Sequence, residues 1–276
     1  MSEGGVEMSS GSYPFLKAVM AKVRGEPPAH PVYVFGMHKG GSSMLSSFFQ
    51  GYTRAAGIKG ISISNHMFEK GISDEAYTHD LELCPLMKER FVFFGFRYVP
   101  AFMLINKSRF LNVRGIVLVR DPRDCAVSAF YSFLRSHVVL AGDETGVALQ
   151  ISEERERHTT SSIDDYVLSE IGRFVEEIHG YSFFAHENLR IFRYEDIIFE
   201  KRAFFLDAIR YLRIKWNEPA FEKALTAVDI FPDTEQPDRH VRNVTPGNFR
   251  EKLAKSTIDA INSKYERVLG LYGYAA

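Results

Sequence analysis

The chain has 276 residues, 45% of them hydrophobic and 25% charged, with 34 Lys and Arg against 35 Asp and Glu. That balance fits a globular protein long enough for a large α/β domain, and it lacks the basic excess of a general nucleic-acid binder. Cys84 and Cys125 lie far apart without a Cys-His cluster, no run of eighteen apolar residues offers a membrane span, and the N-terminus lacks an apolar signal core; we expect a reducing, cytoplasmic setting without a metal site.

In chain order, residues 1–12 are small and polar and are predicted to be disordered, leaving residues 13–276 as one domain. A helical pattern covers Tyr13–Arg24, and a proline-broken connector follows at residues 25–31. Strands are predicted at Val32–Phe35, Ile58–Ser64, Phe91–Phe96, Arg114–Arg120 and Leu189–Phe192. Helices are predicted at Ser42–Ala56, Asp124–Ser136, Ile163–Ile178, Glu200–Arg213 and Ser256–Leu269, the last ending at Gly270. Alternating strands and helices imply right-handed βαβ units: a three-layer α/β fold with a central parallel sheet and helices on both faces. The segment His137–Thr160 carries the mixed-charge run Glu153–Arg157 and reads as solvated surface or as a flap over a site.

The most informative stretch is Val34–Leu45, an apolar strand that breaks into His38-Lys39-Gly40-Gly41-Ser42-Ser43 and enters a helix. A glycine turn before a helix aims backbone N–H groups at one spot, and the helix dipole adds about half a positive charge there. Lys39 adds a full charge, and Ser42 and Ser43 can donate to oxyanions or cap the helix. The nucleotide triphosphate loop places lysine directly before the hydroxyl residue. Here Lys39 precedes two glycines, so it addresses a different atom. A second anion element is Ile116–Ser128: an apolar strand ends in Arg120, and Ser128 follows eight positions later on a helix. Arginine at the carboxyl end of a parallel strand suits bidentate phosphate binding.

Lys39-Gly40-Gly41-Ser42-Ser43 resembles the 5′-phosphosulfate loop of sulfotransferases, with Gly40 where that family usually has a hydroxyl. Val119-Arg120-Asp121-Pro122-Arg123-Asp124 with Ser128 resembles the family's 3′-phosphate element. Arg193-Tyr194-Glu195-Asp196 is similar to the segment whose tyrosine lies near the adenine, and Arg242 and Gly247 fall in register with the loop that closes on the 3′-phosphate. In that loop Phe249 replaces a tryptophan, and Asn243 and Val244 replace a lysine and a glycine. The resemblance spans roughly residues 31–273 and carries some likeness to the carbohydrate branch of the family. It implies a P-loop NTPase-like fold and 3′-phosphoadenosine 5′-phosphosulfate (PAPS) as co-substrate, without a metal. It also implies a donor site of Lys39, Gly40, Gly41, Ser42, Ser43, Met44, Arg120, Ser128, Tyr194, Arg242 and Gly247.

Lys39 is the expected catalytic cation, placed to neutralise charge on the leaving phosphate. The acceptor, a hydroxyl or amine of a carbohydrate or small metabolite, needs a base. The histidine of the small-molecule branch is missing, since Tyr98 stands in Phe96-Arg97-Tyr98-Val99-Pro100. His66 with Glu69, three residues apart, resembles the carbohydrate branch and is the preferred base, with His38 the runner-up. Two other readings stay open: a Mg²⁺-dependent phosphotransferase using Asp121, and a nucleotide-binding module without turnover.

Overall fold

The computed structural model describes residues 13–132, 155–156, 158–231 and 244–274. The predicted N-terminal tail, residues 137–154 and 157 of the candidate flap, and Arg242 lie outside the described residues.

Five parallel strands form the sheet: β1 (Val32–Gly36), β2 (Gly60–Ser62), β3 (Val92–Phe96), β4 (Gly115–Val119) and β5 (Leu189–Arg193), in the order β2-β3-β1-β4-β5. β1, β3 and β4 are buried along their whole length, as expected of parallel strands covered on both faces. Their side chains alternate between two cores. Tyr33, Phe35, Phe93, Val117 and Val119 face the helices Pro122–Tyr131 and Ile163–Phe184. Val32, Val34, Val92, Phe94, Ile116 and Leu118 face Ser42–Ala55, Lys201–Tyr211 and Glu218–Thr226. The predicted three-layer α/β architecture is the observed one.

The differences are local. The second strand is shorter than expected, because Ser62 caps a helix over Ile63–Phe68 by accepting the N–H of Asn65. The helix after β4 starts at Pro122, a proline suited to a first helical turn, with the Asp121 carboxylate taking the N–H of Arg123 at 2.9 Å. The helix from Ile163 runs six residues past Ile178 to Phe184, since Tyr181 and Phe184 continue its buried face. The last helix spans Lys255–Leu271 and passes through Gly270 instead of ending there.

Two features aim residues at one crevice. The chain leaves β1 for β2 on one side, while β4 lies on the other, so the strand order reverses between β1 and β4. Ligands of open α/β sheets bind off the carboxyl ends of strands at such a reversal. Within β3, Tyr33 of β1 pairs with Phe93 but Phe35 with Phe96, an extra residue absorbed at Gly95 (φ +87°). A Cβ on Gly95 would lie 2.6–2.7 Å from the hydroxyls of Ser64 and Ser62, so no other residue fits this bulge. The bulge turns Phe96 into the first core and sends Arg97 and Tyr98 toward the end of β1.

Candidate active site

The turn after β1 is held residue by residue from different parts of the molecule. Met37 N–H donates to Leu118 O of β4 (3.2 Å), His38 N–H to the Glu177 carboxylate (2.7 Å) and Gly40 N–H to Met37 O (3.0 Å). Lys39 adopts left-handed backbone (φ +57°), which is uncommon for a residue with a Cβ and persists only where the surroundings fix it. Gly41 (φ +97°) is the residue that enters the helix Ser42–Ala55, and Leu45 N–H returns to its carbonyl at 3.0 Å.

Gly41 therefore occupies the capping position, and neither Ser42 nor Ser43 caps the helix as the sequence had allowed. Both hydroxyls ride on its first turn, Ser42 buried and Ser43 exposed, beside half-buried Met44. The N–H groups of that turn have no acceptor within the helix, so the end of the helix presents donors together with the Lys39 side. Gly40 departs from the usual hydroxyl for a steric reason. A Cβ there would sit 2.4 Å from Met37 Cγ and 3.4 Å from Arg120 Cβ.

Arg120, just past the end of β4, meets this turn directly: its Nη1 donates to Lys39 O at 3.2 Å. It is 5% exposed, lies 4.4 Å over the Tyr194 ring, and faces Asp124 at 3.6 Å. Among the described residues no acceptor meets its Nε. Ser128 is half-buried two turns along the helix from Pro122. Tyr194 is buried against the turn, since a Cβ on Gly41 would come within 3.3 Å of its ring, and its hydroxyl donates to Val244 O. Burial lifts that phenol to about 12, against the pull of Arg120, so it stays protonated.

Asp124 ties the C-terminal loop to the same place. Its two carboxylate oxygens accept Gly247 N–H (2.7 Å) and Phe249 N–H (2.9 Å). Gly247 (φ +82°) thus stands beside the Arg120 element. Asp121 belongs elsewhere: Arg123 binds it through Nε (3.0 Å) and Nη2 (2.7 Å), and also donates to Tyr274 O.

On the opposite side of the β1 turn lies a cluster of ionisable groups. The His38 Nδ1 lies 3.2 Å from Glu177 Oε1, and its Nε2 lies 3.4 Å from Asp74 Oδ2. Asp74 also accepts from Tyr77 OH (2.6 Å) and from Arg97, and Tyr98 rests against the His38 ring at 5.2 Å between centroids. Burial favours neutral His38, but Glu177 and Asp74 together outweigh it and hold the imidazole above its ordinary range. Burial also raises Asp74, yet His38, Arg97 and Tyr77 overcome that and hold it well below the usual carboxylate range.

His66 and Glu69 are brought together as the spacing predicted, with Nδ1 to Oε2 at 3.1 Å. They follow β2, the edge strand, two strand positions from β1, which is roughly 10 Å across the sheet. Glu69 is two-thirds exposed. The sequence reading missed Glu177, Asp74 and Arg97. Glu177 had left a sign: it sits among Phe174, Val175, Ile178 and Tyr181 on the buried face of an amphipathic helix, where an acid is unexpected.

A glycine turn bearing a lysine, met by a strand-end arginine beside a loop held on a buried carboxylate, offers donors for phosphate-like anions off the end of the sheet. The sulfotransferase domain family matches residues 30–230, and the chain belongs to that family. Its reaction is the transfer of a sulfuryl group from PAPS. No curated protein matches the sequence. Among solved structures, mouse sulfotransferase SULT7A1 complexed with PAP (the desulfated donor, 3′-phosphoadenosine 5′-phosphate) is 14% identical. It covers 93% of this chain and 94% of its own, with a TM-score of 0.51, a likeness of fold. Retinol dehydratase in complex with androsterone and PAP is 16% identical, with a TM-score of 0.45 over 93% of this chain and 85% of its own. Among the described residues no helix is long and apolar enough to cross a membrane.

Proposed function

We propose that this chain transfers the sulfuryl group of PAPS to a hydroxyl or amine of a small metabolite or carbohydrate, in the crevice between the ends of β1 and β4. The observation that carries this reading is the hydrogen bond from Arg120 Nη1 to Lys39 O. It brings two anion elements 81 residues apart in sequence to one crevice, as one doubly phosphorylated adenosine would require.

In this reading the helix end at Ser42, Ser43 and Met44, with Gly40 and Gly41 beside it, holds the 5′-phosphosulfate. Arg120 and Ser128 take the 3′-phosphate, and Gly247 with Arg242 closes over it. Tyr194, stacked beneath Arg120, bounds the adenine side. The acceptor oxygen or nitrogen attacks sulfur, the sulfur–oxygen bond to the phosphate breaks, and charge builds on the departing phosphate oxygen. Lys39 neutralises that charge, which stabilises the transition state more than the bound donor.

The acceptor's proton passes to a base, and geometry favours His38 over His66. His38 is adjacent to Lys39 and braced by two carboxylates, whereas His66 lies on the helix Ile63–Phe68 and pairs with the exposed Glu69. Its ring also rests against Tyr98, which stands where the small-molecule branch carries its histidine.

The test is an acceptor panel of phenols, sterols, amines and sugars with labelled PAPS in EDTA. Label transfer to any acceptor supports the reading. Transfer of phosphate that requires Mg²⁺ would instead support a phosphotransferase, a reading that the engagement of Asp121 by Arg123 disfavours. Tight PAP binding with no transfer to any acceptor would mark a binding module.

A further inference from the structure

We propose that Glu177 is a positioning residue for the transfer reaction: it fixes the backbone of the donor turn at residue 38 and sets the tautomer and charge of the His38 ring. This rests on the reading of His38 and Lys39 given above. The Glu177 side chain has no exposed surface, yet it sits in a helix that otherwise packs apolar residues against the sheet. A buried carboxylate is costly unless its oxygens are matched by donors. Here both oxygens turn to one residue: Oε1 accepts the His38 N–H at 2.7 Å and faces Nδ1 at 3.2 Å, with Oε2 at 3.3 Å from Nδ1.

The backbone contact matters because Lys39, the next residue, is in a left-handed conformation that local sterics disfavour. Met37 and Lys39 are held from the β4 side, by Leu118 and Arg120, and Glu177 supplies the hold from the long helix. One carboxylate therefore links the aim of the lysine to the aim of the histidine.

The ring contact settles charge. The groups facing His38 are Asp74 from the helix Asp74–Thr78, Arg97 and Tyr98 beyond β3, Glu177 from the long helix, and Lys39 on its own turn. Tyr77 and Tyr181 lie one contact further out, on Asp74 and on Arg97 O. With His38 neutral, the buried set Asp74, Glu177 and Arg97 carries one net negative charge. Protonating His38 balances it. An Nδ1–H pointed at Glu177 also leaves Nε2, 3.4 Å from Asp74, as the nitrogen that exchanges a proton.

The readouts are the pH titration of the His38 ring by NMR, assigned with His38→Gln, and PAP affinity by calorimetry. In the unmodified protein His38 should titrate above the ordinary value of about 6.5. Glu177→Gln keeps an oxygen for the His38 N–H but removes the charge. His38 should then titrate about one unit lower while PAP affinity changes by less than about threefold. Glu177→Ala removes both contacts, so the same fall should come with about tenfold weaker PAP binding.

An unchanged His38 titration in Glu177→Gln, or unchanged PAP binding in Glu177→Ala, overturns the proposal. Should the variants not fold, a His38 titration below 6.5 in the unmodified protein overturns it by itself. Failure of the wider reading has a different signature. PAP that does not bind the unmodified protein removes the donor site, and the titration then judges Glu177 alone.

Discussion

The two sides of the β1 turn solve opposite electrostatic problems. Toward β4 the protein gathers donors and leaves them partly unmet: the first-turn N–H groups of Ser42–Met44, the hydroxyls of Ser42 and Ser43, and a buried Arg120 whose Nε meets no acceptor among the described residues. Toward β3 the charges are matched within the protein, with His38 between Glu177 and Asp74 and Arg97 against Asp74. A site that awaits an anionic ligand stays incomplete until the ligand arrives, whereas a site that must hold a proton at a set affinity builds its own counter-charges. In the proposed reading, this difference separates the donor half of the crevice from the acceptor half.

The comparison breaks most visibly at Asp124, which serves only the donor half. Asp124→Ala leaves Arg120 buried without its carboxylate and frees the N–H groups of Gly247 and Phe249. We expect a loss of about 3 kcal/mol or more of stability, read by urea unfolding, with the His38 titration unchanged. Lys39→Ala should lower turnover at least about a hundredfold, roughly 2.7 kcal/mol of barrier, with a smaller change in PAP affinity. An unchanged rate would remove Lys39 from the mechanism.

Gly40→Ser, which restores the hydroxyl usual in the family, should cost about 1–3 kcal/mol because its Cβ collides with Met37. By thermal unfolding, Gly40→Ser should cost less when added to Met37→Ala than to the unmodified protein, and an equal cost would mean the clash lies elsewhere. His66→Ala should change turnover by less than about twofold, because His66 lies on the helix after β2 and pairs with the exposed Glu69, not with the His38 cluster. A lost limb near pH 6–7 in this variant, and not in His38→Ala, would move the base back to His66.

Much of this was readable in advance for a physical reason. The fold follows from continuous apolar runs such as Ile116–Val119, which suit a parallel strand covered on both faces, alternating with helical patterns. The donor half follows from local spacing, because a glycine turn and a strand-end arginine are each contained within a dozen residues. The acceptor half was less legible, since its contacts join residues far apart: His38 to Glu177 is a separation of 139. His66 and Glu69 did meet as a pair, but their spacing carried no information on which strand edge the pair would occupy. Gly40 looked like a departure from the motif, and only the packing of Met37 beneath it supplies the cause.

The central claim is that the turn at Lys39 and the arginine at 120 grip the two ends of one nucleotide. Calorimetry of PAP and of adenosine 5′-phosphate, on the unmodified protein and on Arg120→Ala, measures it most directly. The account predicts that the unmodified protein prefers PAP, and that Arg120→Ala loses about 10- to 100-fold in PAP affinity and clearly less in adenosine 5′-phosphate affinity, where only the lost hold on Lys39 O counts. A preference for PAP that survives in Arg120→Ala, or an equal loss for both nucleotides, would contradict it.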